Sequence, residues 1–128
     1  MEIRIRCTQQ DLLENSQTIL ADGKAYLIDD TLTYVEKDHP DVQHAITFDK
    51  DEVILKRKAE IQSETHIPHE GVGKSTVLSP YGMMVLETKI EEVFKNDELW
   101  MVQYQILENG SIVSHQKLVW ELKGVADE

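Results

Sequence analysis

The sequence predicts an all-β fold: a single antiparallel β-barrel of about eight to ten strands. Apolar and polar residues alternate with period two through much of residues 74–122, as at Met84, Leu86, Thr88 and Ile90. That period marks strands with one buried face. Turn signals such as Pro80-Tyr81-Gly82 and Asn109-Gly110 separate the segments. No long 3.6-period stretch interrupts them, so consecutive strands form a meander that must close or sandwich to cover its apolar face.

Along the chain, Ile3, Ile5 and Cys7 alternate with Glu2, Arg4 and Arg6, a short first strand expected at an edge or an overlap. In residues 16–28, Ile19, Ala21, Ala25 and Leu27 share a face, and Gly23 is expected at a bend or bulge. Asp29-Asp30 turns the chain into residues 31–37, and Asp38-His39-Pro40-Asp41 makes the next turn. Residues 42–48 and 52–58 form a hairpin around Asp49-Lys50-Asp51, with Val53, Leu55 and Arg57 on one face of the second arm. Residues 61–67 align Ile61, Ser63, Thr65 and Ile67, and Pro68 to Gly73 is expected to be a flexible turn. Residues 1–128 read as one domain whose last five residues, 124–128, have no pattern and are expected to fray.

Register carries the sharpest expectation. Asn109-Gly110 alone as a two-residue loop would set Trp100 against Val119, Val102 against Lys117 and Tyr104 against His115. A three-residue loop, Glu108 to Gly110, sets Trp100 against Leu118, Val102 against Gln116, Tyr104 against Ser114 and Ile106 against Ile112. The second keeps the apolar residues, including Trp120 and Leu122, on one face and predicts Gly110 in the left-handed region.

Composition narrows the function. Thirteen Lys plus Arg against 24 Asp plus Glu give a net charge of −11, which repels nucleic acid and anionic lipid. Charges punctuate every apolar run, so no membrane span is expected. The lone Cys7 forms no intrachain disulfide and the N-terminal residues lack a signal-like apolar stretch; a cytoplasmic location is expected.

Three motifs invite a chemical reading. Gly71 to Thr76 contains the GKS end of a phosphate-binding loop, but the required upstream glycine is Pro68 and a strand follows where a helix should open. His66, His69 and Glu70 are all possible zinc ligands, at a spacing that fits no zinc motif, while His39, His44 and His115 stay unplaced. Cys7 reads as a small buried hydrophobe rather than a nucleophile. No catalytic residue, metal or cofactor is assigned.

The order of elements carries a resemblance. Arg57 ends one strand, a turn lies near Gly71, Ser75 to Ile90 follows, and the closing strands end at Leu118-Val119-Trp120-Glu121-Leu122. Over about residues 16–124 the chain resembles the YwiB-like family of uncharacterised bacterial proteins. Where the family has Thr-Pro-x-Gly, this chain has Ser79-Pro80-Tyr81-Gly82. The resemblance implies a small calycin-like, lipocalin-like barrel and no established activity.

A barrel of this size encloses one small guest or fills itself with side chains. The leading expectation is a small apolar or amphipathic ligand in the interior, contacting Leu86, Thr88, Trp100, Val102, Tyr104, Ser114, Gln116, Leu118 and Trp120, with Arg57 at the mouth. Arg57 reads either as a surface side chain whose stem packs or as a cation for an acidic head group. The alternative is a ligand-free interaction module or homodimer presenting Val85, Val93, Val113 and Val119. A metal-dependent enzyme using His66 and His69 ranks third.

Overall fold

The computed structural model describes residues 1–124. Ten strands fill them: β1 (Glu2–Asp11), β2 (Ser16–Ile28), β3 (Thr31–Val35), β4 (Gln43–Phe48), β5 (Glu52–Lys58), β6 (Gln62–Pro68), β7 (Val72–Ser79), β8 (Gly82–Lys95), β9 (Leu99–Glu108) and β10 (Ser111–Gly124). Each pairs antiparallel with its neighbours in sequence, and β1 pairs with β10 to close the barrel. The predicted all-β barrel is therefore the fold. Closure is also what removes the exposed edges of so long a meander.

The first strand differs from its expected place. It runs ten residues and is hydrogen-bonded on both sides, to β2 and to β10, so it is the closing strand rather than an edge. Ile3, Ile5 and Cys7 point inward as the alternation requires. The irregularity between β1 and β2 falls where Cys7 pairs Ala21 and Thr8 pairs Ile19, which leaves Leu20 as the extra residue. Gly23 sits in regular pairing opposite Ile5, so the expected bulge lies three residues earlier. At the other terminus, Gly124 still belongs to β10 and pairs with Ile3; residues 125–128 of the expected frayed tail lie outside the described residues.

The β9–β10 hairpin resolves its register in an unexpected way. Asn109 and Gly110 have φ of 51° and 83°, and Glu108 pairs with Ser111, so the turn has two residues, both left-handed. A bulge between Ile112 and Ser114, with Val113 as the added residue, then shifts β10. Trp100 consequently faces Trp120, Val102 faces Leu118 and Tyr104 faces Gln116, in place of the pairings expected from a three-residue loop. Trp100, Val102, Tyr104, Leu118, Trp120 and Leu122 are all buried on the shared inner face. Ile112, before the bulge, is largely exposed.

One end of the barrel is packed shut. Phe48 meets Trp100 at 5.0 Å between ring centroids and Trp120 edge-on at 5.6 Å. Ile3, Ile5, Leu32, Val53, Ile67 and Leu122 fill the remaining space. Lys95 seals this end: its ammonium lies 4.8 Å from the centre of the Trp100 ring and donates to Asp30 Oδ1 and the Phe48 carbonyl.

The wall between β6 and β8 is held by an unusual bond. The pairing of β6 with β7 ends at Thr65–Ser75, so the His66 carbonyl lacks a β7 partner. Thr88 Oγ1 donates to it at 2.6 Å, reaching across Gly73. A Cβ on Gly73 would stand 2.2 Å from that carbonyl oxygen and 2.6 Å from Thr88 Oγ1. The GKS-like segment is thus part of β7, and its second glycine permits close backbone approach.

Candidate functional site

Packing thins toward the opposite end, where the β1–β2, β3–β4, β5–β6, β7–β8 and β9–β10 turns gather. Here the interior holds a cavity of about 340 Å³. Cys7, Leu20, Ile46, Leu55, Leu118 and Trp120 give it apolar walls, while Gln9, Glu36, His44, Arg57, Ser63, Thr65 and Tyr104 add polar atoms. That volume and mixture fall at the small end of the range for ligand pockets, about 300–1,000 Å³.

Strand parity builds the mouth. Tyr34, His44, Arg57 and Ser63 pair in one row across β3 to β6, and their side chains face inward. Glu36 follows Tyr34 by two positions and so joins the same face. Its Oε2 accepts from His44 Nε2 at 2.8 Å and from Arg57 Nε at 3.2 Å. Both Glu36 and His44 are nearly sealed from solvent, whereas the Arg57 side chain is 40% exposed. Burial works to raise the Glu36 pKa, but the hydrogen bonds and charges of His44 and Arg57 outweigh it and leave the carboxyl below its usual value. Burial dominates at His44 and lowers its pKa despite the adjoining carboxylate, which favours a neutral ring donating through Nε2. That ring stacks on Tyr34 at 5.1 Å.

Deeper in, Trp120 Nε1 donates to Tyr34 Oη at 2.8 Å. The Tyr34 hydroxyl also lies beside the Cys7 thiol, whose pKa burial pushes up to about 12. Cys7 is therefore a neutral thiol in an apolar wall, with no thiolate to act as a nucleophile. Thr65 and Ser75 share a hydrogen bond of 2.8 Å, and Gln9 donates to Gln116, which donates to Ser114. Burial raises the Tyr104 pKa and no hydrogen bond offsets it.

The ten sequence-derived ligand candidates separate into distinct places. Arg57, Tyr104, Leu118 and Trp120 line the cavity. Trp100 and Val102 belong to the packed core. Thr88 is committed to the His66 carbonyl, Ser114 and Gln116 bond each other, and Leu86 is half-buried on β8 outside the lining. Glu36 and His44 were missed; their parity with Tyr34 and Ile46 was the available signal.

The metal candidates do not converge. His66 points outward on β6, its two nitrogens bonded to different carboxylates, Glu52 at 3.0 Å and Glu64 at 2.6 Å. His69 and Glu70 lie in the following turn, and the buried Nε2 of His69 has no partner among the described residues. Among the described residues no group of three His, Cys, Asp or Glu side chains is arranged to hold a metal ion.

A second hollow, about 610 Å³, lies on the wall formed by β2 to β7 and is lined largely by outward residues such as Tyr26, Val35, Ala45, Lys56, Lys58 and Leu78. Of the outward valines, Val85, Val93 and Val113 are exposed and Val119 is half-buried. Among the described residues no helix is long and apolar enough to cross a membrane.

The ywiB protein from Bacillus subtilis, known from a crystal structure, shares this architecture with a TM-score of 0.61. The match covers 98% of this chain and 91% of that one at 12% identity, so it speaks to the fold alone. No curated protein matches the chain. A family model described as a domain of unknown function, DUF1934, matches residues 2–119, and on that extent the chain belongs to this family.

Proposed function

We propose that the protein binds a small apolar or amphipathic molecule in the mouth half of its barrel, using a calycin-like architecture in the manner of a lipocalin. The observation that carries this reading is the partial filling of the interior. Aromatic packing closes one end, whereas about 340 Å³ remains at the other behind polar side chains. A module serving only as a scaffold would be expected to fill this space, because unfilled volume forfeits packing. The protonated Cys7, and the pairing of Glu36 with both His44 and Arg57, favour binding over catalysis. The free thiol fits a reducing, cytoplasmic setting.

Native mass spectrometry of gently purified protein should show a copurified small mass or an adduct with added small amphiphiles. Tryptophan emission should change on the same titration, since Trp120 borders the cavity. Absence of both, together with water-free closure of the cavity in an experimental structure, would leave the interaction module as the better reading.

A further inference from the structure

Resting on that binding reading, we infer that the cavity selects an uncharged amphipathic molecule with a hydrogen-bonding group directed at Tyr104, and discriminates against acids.

Thr65 and Ser75 bond each other, Gln9, Gln116 and Ser114 form a chain, and Tyr34 accepts from Trp120. Tyr104 is different. It is only 7% exposed, it lines the cavity, and its hydroxyl has no hydrogen-bond partner among the described residues. The hydroxyl is not sealed off but stays open to the cavity, where a guest can reach it as donor or acceptor. A carbonyl, hydroxyl or amine of a guest in this cavity would supply a partner, while Ile46, Leu55 and Leu118 contact its apolar body.

The charges at the mouth cancel. Glu36 takes bonds from Arg57 and His44 on the same oxygen, and Lys56 reaches Glu64 on the outer wall at 3.9 Å. Burial lowers the His44 pKa and favours its neutral form. Arg57 uses Nε on Glu36 and Nη1 on the Ile61 carbonyl, so an acidic guest could reach its remaining N–H groups only beside the Glu36 carboxylate, whose charge already offsets the guanidinium. The charge of Arg57 is thus offset by Glu36 before any head group arrives.

Two fluorescent probes test this directly: neutral N-phenyl-1-naphthylamine and its sulfonated counterpart 1-anilinonaphthalene-8-sulfonate. The wild-type protein is expected to bind the neutral probe about tenfold more tightly, equivalent to one steep step in affinity. Glu36→Gln leaves Arg57 uncompensated and should narrow that ratio at least fivefold, whereas Arg57→Gln should widen it. Tyr104→Phe should weaken the neutral probe by two- to tenfold. Loss of folding, checked by circular dichroism, could not move the ratio in opposite directions in the first two variants. Equal or tighter wild-type binding of the sulfonate, or a ratio unchanged by both mouth variants, would overturn the selectivity while retaining the binding site. An unchanged neutral-probe affinity in Tyr104→Phe would overturn the Tyr104 contact. Binding of neither probe would overturn the selectivity and the ligand reading together.

Discussion

Trp120 Nε1, on β10, donates a 2.8 Å hydrogen bond to Tyr34 Oη, on β3, across the barrel interior. This bond sits between the aromatic floor and the cavity, because Trp120 packs on Phe48 while both bonded residues line the open space. Tyr34→Phe removes the acceptor and leaves a buried indole N–H. The expected loss is about 1–3 kcal/mol, read as a lower urea midpoint with an unchanged slope. A loss below about 0.3 kcal/mol would show that water replaces the phenol at no cost.

A second test concerns the wall at Thr88. Thr88→Val keeps the shape but strands the His66 carbonyl, so it should cost about 1–3 kcal/mol, while Thr88→Ser should recover most of the loss. Gly73→Ala should be worse than either, since its Cβ would meet backbone as well as Thr88 Oγ1. Equilibrium unfolding of the three variants checks that order.

The bulge at Val113 makes a sharper prediction about register. Deleting Val113 leaves a regular two-residue hairpin in which Trp100 still faces Trp120, so the chain should fold with its tryptophans buried. Deleting Val119 instead would turn Trp120 outward and should abolish cooperative unfolding. Circular dichroism and tryptophan emission separate the two outcomes.

These cases show how much of the barrel was legible beforehand. Period two placed Trp100, Val102, Tyr104, Leu118 and Trp120 on one face, because alternation survives any loop length that preserves their relative parity. It also exposed the conflict of a regular two-residue loop, which would set Trp100 against Val119. The remedy was hidden: a bulge requires only one extra residue, and Val113 has no distinguishing chemistry. Glu36 and His44 were overlooked for another reason. Charged and polar residues at strand ends usually face water, and only the cross-strand register brings these two to Arg57. Cavity volume depends on barrel dimensions and on every inward side chain together, so no local pattern encodes it.

The mouth should also make stability depend on pH. Glu36 and His44 both have folded-state pKa values below their ordinary ones of 4.5 and 6.5. Each therefore contributes stability that is complete above its unfolded value and is lost as pH falls toward its folded value. The His44 contribution begins to fade near 6.5 and the Glu36 contribution near 4.5. His66 works oppositely: the Glu64 hydrogen bond raises its pKa, giving stability present below 6.5 and lost as pH rises through the folded value. With 37% of its side chain exposed, screening keeps that opposing effect small. Urea midpoints should fall from about pH 7.5 to 5, and His44→Gln should flatten that fall. An unchanged slope in the variant would exclude His44 as its source.

The site itself is tested most directly by methyl-detected nuclear Overhauser measurements on the protein saturated with N-phenyl-1-naphthylamine. Contacts from the probe to the methyl groups of Ile46, Leu55 and Leu118 are expected, because these side chains wall the interior cavity. Contacts confined to Val35 and Leu78, on the outer wall, or no intermolecular contacts at saturation, would contradict ligand binding inside the barrel.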